Sequence, residues 1–196
     1  MSANPDDAGS FFYVLDETMR ILFVDDDPIL REFAQVNLAT EHASVEAVGD
    51  GEAALAAIRA EPPDIVLLDL EMPTLDGFGV LAALRADPAH RDLPVIVVTG
   101  REDVAAVDRA YAAGATAFVV KPLNWRLLSH QLRYVRRNAM SERRTTETLM
   151  RLAAEGAQFV SRALARDPTL RADAVAFAKA ADAALNPASD DAAKAA

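Results

Sequence analysis

No cysteine occurs among the 196 residues, which excludes disulfides and thiolate metal sites and is compatible with a reducing compartment. Nor does any stretch approach the roughly 18 uninterrupted apolar residues of a membrane span, although 52% of the chain is apolar. The N-terminus, MSANPDDAGS, is acidic and polar and lacks the basic region and apolar core of a secretory signal. Together these absences predict a soluble, cytoplasmic protein without a membrane partner. Basic side chains are scarce in one part of the chain only. Residues 1–124 carry 22 acidic and 8 basic groups, whereas residues 125–196 carry 8 acidic and 12 basic. Phosphate contacts need Lys and Arg, so the acidic first part argues against nucleic-acid binding there.

What is present centres on Asp64 to Gly79, DIVLLDLEMPTLDGFG. Ile65 to Leu68 form an unbroken apolar run, bounded by Pro62-Pro63, that ends on Asp69. Such a run reads as a strand buried on both faces, which belongs to a parallel sheet with ligands beyond the carboxyl ends of its strands. A second run, Ile21 to Val24, also ends on acid: Asp25, Asp26 and Asp27. Asp27 suits an N-cap, with Pro28 at the first helical position and Ile29, Leu30, Phe33 and Val36 at helical spacing. Further alternation follows, with strands at 44–48, 93–98 and 115–120 and helices at 51–60, 78–85 and 102–113. Five βα units with short connections predict a doubly wound five-stranded parallel α/β sheet.

The strand ends supply, in order, Asp25-Asp26, Asp69, Thr99 and Lys121. Alone, a carboxylate at a strand end is usually a cap or a solvated loop charge. Several such groups at one sheet edge have a common chemistry. Paired carboxylates suit a hard divalent cation such as Mg²⁺, which takes oxygen ligands and retains waters. A carboxylate nucleophile, a cation, a hydroxyl and an ammonium together suit phosphoryl transfer, where catalysis is mostly positioning and charge neutralisation. An ionised carboxylate needs no general base.

Over residues 19–138 these motifs, VDDDP, DLEMPTLDG, VVTG and FVVKP, resemble the flavodoxin-like receiver domain of two-component response regulators. The resemblance implies that Asp69 is the phospho-acceptor and Asp26 a direct Mg²⁺ ligand beside Asp69. It also implies that Asp25 acts mainly through water and Glu71 through its backbone carbonyl. Thr99 matches the switch hydroxyl, Lys121 the phosphate-binding lysine and Phe118 the aromatic switch position, and the lysine–proline bond is cis in the family. The implied phosphodonor is a sensor histidine kinase or a histidine phosphotransfer protein. Catalysis would be limited to self-phosphorylation from that donor and slow autodephosphorylation. Glu71, Leu70 and Gly100 are departures that bear on phosphoryl lifetime and partner choice. A hydrolase built on Asp69 and Glu71, of haloacid-dehalogenase type, leaves the Asp25-Asp26 pair unexplained.

Residues 1–18 read as a lead-in with an apolar cluster at Phe11 to Leu15, and residues 139–187 as a helical extension. Asn124 is positioned to cap a helix with Trp125, Leu128, Leu132 and Val135 at helical spacing, and no Gly or Pro interrupts 125–155. Ser129-His130 in this helix is not a kinase phosphorylation box, because the expected Pro and the ATP-binding Gly motifs are missing. Leu149, Leu152, Gly156, Phe159, Val160, Ala163 and Leu164 form one apolar stripe. Beyond Asp167-Pro168, Leu170, Ala174, Phe177, Ala178, Ala181 and Leu185 form another, predicting a helical hairpin, with 188–196 a disordered tail. The predicted output is a homodimer or contact with a downstream protein through these helices. Nucleic acid is not expected as a partner; the alternative is a DNA-binding transcriptional regulator with an unrecognised helical effector, drawing on Arg133, Arg136, Arg137, Arg143, Arg144 and Arg151.

Overall fold

A computed structural model describes residues 15, 17–100, 104–166, 176 and 179–180. Five strands alternate with five helices: β1 Met19–Val24, α1 Pro28–Leu38, β2 Ala43–Val48, α2 Gly51–Ala60, β3 Ile65–Asp69, α3 Gly77–Ala86, β4 Val95–Thr99, α4 Val104–Ala112, β5 Ala117–Val120 and α5 Trp125–Arg166. The strands form one parallel sheet of order β2-β1-β3-β4-β5, with Val24 beside Leu68 and Asp69 beside Val98. The chain reverses direction across the sheet between β1 and β3, the place where ligands sit in doubly wound folds.

Strand residues alternate between two apolar layers, as a pleat of period two requires. Leu22, Val24, Val66, Leu68, Val95 and Val97 pack with Ala54, Ile58, Val80, Leu81, Leu84 and Ala110 of α2, α3 and α4. Ile21, Phe23, Ile65, Leu67, Ile96 and Val98 pack with Ala34, Leu38, Leu128, Leu132 and Val135 of α1 and α5. Side-chain caps start four helices. Asp27 accepts from the Ile29 and Leu30 amides, Asp50 from Ala53, Asp76 from Gly79 and Asn124 from Leu127.

Two elements differ from the sequence reading. The helical period in α1 is real, but Ile29, Phe33 and Val36 point outward, 62%, 51% and 75% exposed. The sheet side of this helix is instead Leu30, Ala34 and Leu38, a run at i, i+4, i+8 that includes a small residue. The last strand starts at Ala117, not Ala115, because the turn before it is fixed by other bonds. Gly114 adopts φ +94, and a Cβ there would lie 2.7 Å from Arg85 Nε. Arg85 donates to the Gly114 carbonyl at 2.7 and 2.9 Å and to the Leu93 carbonyl at 3.0 Å.

Residues Met1–Ala139 and Met140–Ala196 form two compact units. In the first, Leu15 is buried against the α1–α5 layer and its carbonyl accepts from the Thr40 hydroxyl at 2.8 Å. The cluster at residues 11–14 lies outside the described residues, as does the expected second helix of the hairpin apart from residues 176 and 179–180, which are helical. Among the described residues no helix is long and apolar enough to cross a membrane.

Just before β1, Glu17 and the Thr18 carbonyl both accept from the Arg136 guanidinium, with Arg137 3.4 Å from Glu17. The Arg136 hydrogen bond outweighs desolvation and holds the Glu17 carboxyl below its usual range. A lowered carboxyl stabilises the fold above its unfolded pKa, about 4.3, and ceases to do so as pH falls through the folded value. Wild type is therefore expected to exceed Glu17→Gln in stability at pH 7 by at most about 1 kcal/mol. Urea unfolding should show the two converging as the pH falls below the unfolded value; a gap that stays constant as the pH falls would exclude the carboxylate as its cause.

Candidate functional site

The carboxyl ends of β1, β3 and β4 and the segment after β5 meet at one edge of the sheet. Parallel pairing in register makes Asp25 and Asp69 neighbours, one residue beyond Val24 and Leu68 respectively. Asp25, Asp69 and Thr99 are buried, while Asp26 is exposed. The carboxylates of Asp25, Asp26 and Asp69 each offer an oxygen within 4.8 Å of the others. Lys121 reaches in from the end of β5, with Nζ 2.6 Å from Asp69 Oδ2 and 2.8 Å from Asp25 Oδ2. The Lys121 amide donates to the Thr99 carbonyl at 2.9 Å, fixing the two strand ends together. The Lys121–Pro122 peptide is cis.

The electrostatics follow from burial and crowding. Desolvation raises the Asp25 carboxyl above its usual range, only partly opposed by Lys121 and the Asp27 amide, and Asp69 adds a small push in the same direction. Burial opposes the charge on Lys121, but the adjacent Asp25 and Asp69 carboxylates prevail and raise its pKa. Asp25 Oδ2, though ion-paired with Lys121, makes no hydrogen bond of acceptable geometry. The short distance is a Coulombic contact, not a directed bond. A buried carboxylate oxygen left without a directed donor, next to two further carboxylates, fits a hard cation with oxygen ligands.

The loop after β3 is drawn tight against the site. The Gly77 amide donates to the Leu70 carbonyl at 3.1 Å, and a Cβ on Gly77 would lie 2.2 Å from the Asp69 carbonyl oxygen. The Glu71 amide donates weakly to Asp69 Oδ1 at 3.3 Å, and its side chain is exposed. Leu70 is buried in the α2–α4 layer, so it does not present an apolar side chain over the site. Gly100 is exposed, and among the described residues no atom beyond its chain neighbours lies within 4 Å of where its Cβ would be. Phe118, on the edge strand β5, is half-buried against the α2–α4 layer, as a strand aromatic is expected to be.

Sequence reasoning missed one contributor. Arg31 Nη1 donates to the carbonyls of Asp25 and Asp26 at 2.7 and 2.9 Å, holding the acidic loop by its backbone. Its only signal is an arginine four residues after the Asp27 cap. Beside the site, α1 and the residues after β5 enclose a groove of about 530 Å³ lined by Asp27, Leu30, Phe33, Lys121, Leu123 and Trp125.

Comparison with known proteins agrees with this geometry. The response regulator receiver domain family matches residues 21–133, and the chain belongs to that family. The DNA-binding response regulator MtrA of Mycolicibacterium smegmatis is 39% identical over 120 residues, covering 61% of this chain and 51% of that protein. The transcriptional regulatory protein CseB of Streptomyces avermitilis is 37% identical over 121 residues, 62% of this chain and 50% of that protein. The chain thus spans about half the length of these relatives. Vibrio cholerae chemotaxis protein CheY4 superposes with a TM-score of 0.57 at 29% identity, covering 60% of this chain and 98% of that one. A CheY-like receiver domain protein from Methanospirillum hungatei gives 0.59 at 27% identity, covering 64% and 99%. The chain thus carries a receiver domain with a flavodoxin-like fold. The expectation that nucleic acid is no partner finds no support in relatives whose names are those of DNA-binding regulators.

Proposed function

We propose that the receiver unit, residues 19–138, accepts a phosphoryl group on Asp69 from a histidine kinase or histidine phosphotransfer protein. The observation that carries the reading is the convergence of a buried Asp69, an acidic pair and Lys121 Nζ at one sheet edge. An Asp69 carboxylate oxygen forms the new P–O bond as the P–N bond to the donor imidazole breaks, the leaving nitrogen keeping the bond pair while the other ring nitrogen keeps its proton, so the donor leaves as neutral imidazole. Lys121 transfers its contact from Asp69 Oδ2 to a phosphoryl oxygen, and the Thr99 hydroxyl donates to another. Asp25, Asp26, Asp69 and the Glu71 backbone carbonyl would hold Mg²⁺, which when bound supplies charge neutralisation on the phosphoryl oxygens. Movement of Thr99 toward the phosphoryl group frees space into which Phe118 shifts, changing the α4–β5–α5 face. The extension, residues 139–187, is the output element and associates with a second copy or a downstream protein.

Acetyl phosphate with Mg²⁺ is the direct test. Intact mass should show one phosphoryl adduct, labile to hydroxylamine as an acyl phosphate is. No adduct at any Mg²⁺ concentration, in a protein that remains folded, would remove the reading.

The donor approaches over α1. Ile29, Phe33 and Val36 form an exposed apolar stripe that runs beside the groove next to Lys121. Exposed apolar residues grouped this close to a reacting carboxylate fit a docking patch for the protein that carries the phosphohistidine. Phe33→Ser is expected to slow transfer from a phosphohistidine protein about tenfold at subsaturating concentration, with acetyl phosphate labelling unchanged. Equal losses with both donors would place the effect in the site and not in docking.

A second reading, DNA binding, is favoured by similarity to the DNA-binding response regulator MtrA and the transcriptional regulatory protein CseB and by the arginine-rich α5. It requires duplex affinity that falls steeply with salt. Affinity independent of salt, or none, removes it.

A further inference from the structure

In the second unit the described residues Met140–Arg166 form one helix on which Leu149, Leu152 and Phe159 lie in the open, Phe159 being 74% exposed. Their spacing is heptad. Leu149 at position a puts Leu152 at d, Gly156 at a, Phe159 at d and Ala163 at a. The flanking rows differ in character. One holds Ala153 and Val160, and the other holds Glu155 and Arg162.

We infer that this face pairs with the same face of a second copy in one antiparallel register, with Phe159 of each chain seated on Gly156 of the other. The inference rests on the dimer reading above and fixes its partner and direction. In antiparallel pairing a positions face d positions, so the register that sets 156 against 159 also sets Leu152 against Ala163 of the second copy. Large meets small in both of these layers, as close packing requires, and the outermost layer sets Leu149 against the Arg166 position at the end of the helix. The same register brings the Glu155 position opposite the Arg162 position of the second copy, twice per dimer, and Ala153 opposite Val160. Sliding one heptad either way puts Glu155 against Glu155 or Arg162 against Arg162. Parallel pairing is worse for a different reason. It sets Gly156 on Gly156, leaving a void, crowds Phe159 on Phe159, and among the described residues puts no opposite charges across the flanks. The one described competitor for Glu155 is Arg151 on the same helix, 3.6 Å away with both side chains well exposed, and such a solvated pair is weak.

Sedimentation equilibrium of the full-length protein, with Mg²⁺ and with or without beryllofluoride, tests this through a charge-swap cycle. Glu155→Arg and Arg162→Glu should each weaken the dimer about tenfold, and the double swap should restore it to within about twofold. Gly156→Leu should weaken it about tenfold while raising helicity, since the seat for Phe159 is filled even as the helix gains propensity. A dimer indifferent to the swaps, or tightened by Gly156→Leu, overturns the register and leaves dimerisation standing. A wild type that stays monomeric in every condition overturns both, and assigns the face to residues 167–196 or to an unlike protein.

Discussion

Asp69→Asn is expected to abolish phosphoryl incorporation, by about a thousandfold or more, with the fold intact. The amide matches the carboxylate in shape and its oxygen can still accept from Lys121, but it is not a nucleophile. Stability should not suffer. Asp25 and Asp69 are like charges at one sheet edge, and Asp69 adds to the upward push on the Asp25 carboxyl. Removing one of the two charges relieves that repulsion and leaves Lys121 paired with Asp25. Against this stands the loss of one charge-assisted bond, so the net change is expected within about 1 kcal/mol. Intact mass after acetyl phosphate treatment and urea unfolding of the same sample would measure both quantities. An adduct on Asp69→Asn equal to that on wild type would move the acceptor to another residue.

Gly77→Ala is expected to be the most disruptive small substitution near the site. Alanine ordinarily favours a helix over glycine by about 1 kcal/mol. Here its Cβ would stand 2.2 Å from the Asp69 carbonyl oxygen and 2.8 Å from the Leu70 Cα, both backbone atoms that cannot rotate away. The start of α3 must move off the end of β3, at a net cost of about 3 kcal/mol, and the Asp69 backbone moves with it. Phosphorylation should fall along with stability. Gly79→Ala is the matched control two residues later in the same helix. There the added methyl meets the tip of the Leu75 side chain at 2.5 Å, which can swing aside. Thermal unfolding of the pair should show a drop of several degrees for Gly77→Ala and little change for Gly79→Ala. Equal behaviour would mean that the loop after β3 is softer than its short backbone contacts imply.

Sequence legibility tracked how local each cause was. β1 and β3 were legible because strands buried on both faces read as unbroken apolar runs, and their acidic ends then had to share an edge. The caps Asp27 and Asn124 were legible because the amides they serve lie two or three residues away. The outward face of α1 was not. Leu30, Ala34 and Leu38 carry the same helical period as Ile29, Phe33 and Val36, and no rule of spacing says which row meets a sheet. Arg31 grips carbonyls five and six residues back, a local contact that no motif signals. Lys121 lying between two carboxylates and Glu17 bound by Arg136 across 119 residues depend on where distant segments are placed. Those contacts belong to tertiary packing, for which a single sequence carries no pattern.

The strand order gives the site a chronology. Of the described strands, β1 lies in the interior of the sheet and is made before β3, which docks beside it, so the two acidic ends are gathered once the chain has reached residue 69. Each later strand is added outward on one side, and the ammonium that separates the carboxylates arrives with the last, 52 residues after Asp69. Until β5 is laid down, a growing chain holds a concentrated negative charge without its built-in counter-ion. Completion of the sheet and neutralisation of its edge are therefore one event, and the sheet's final strand serves as the closing half of an ion pair opened at residue 25.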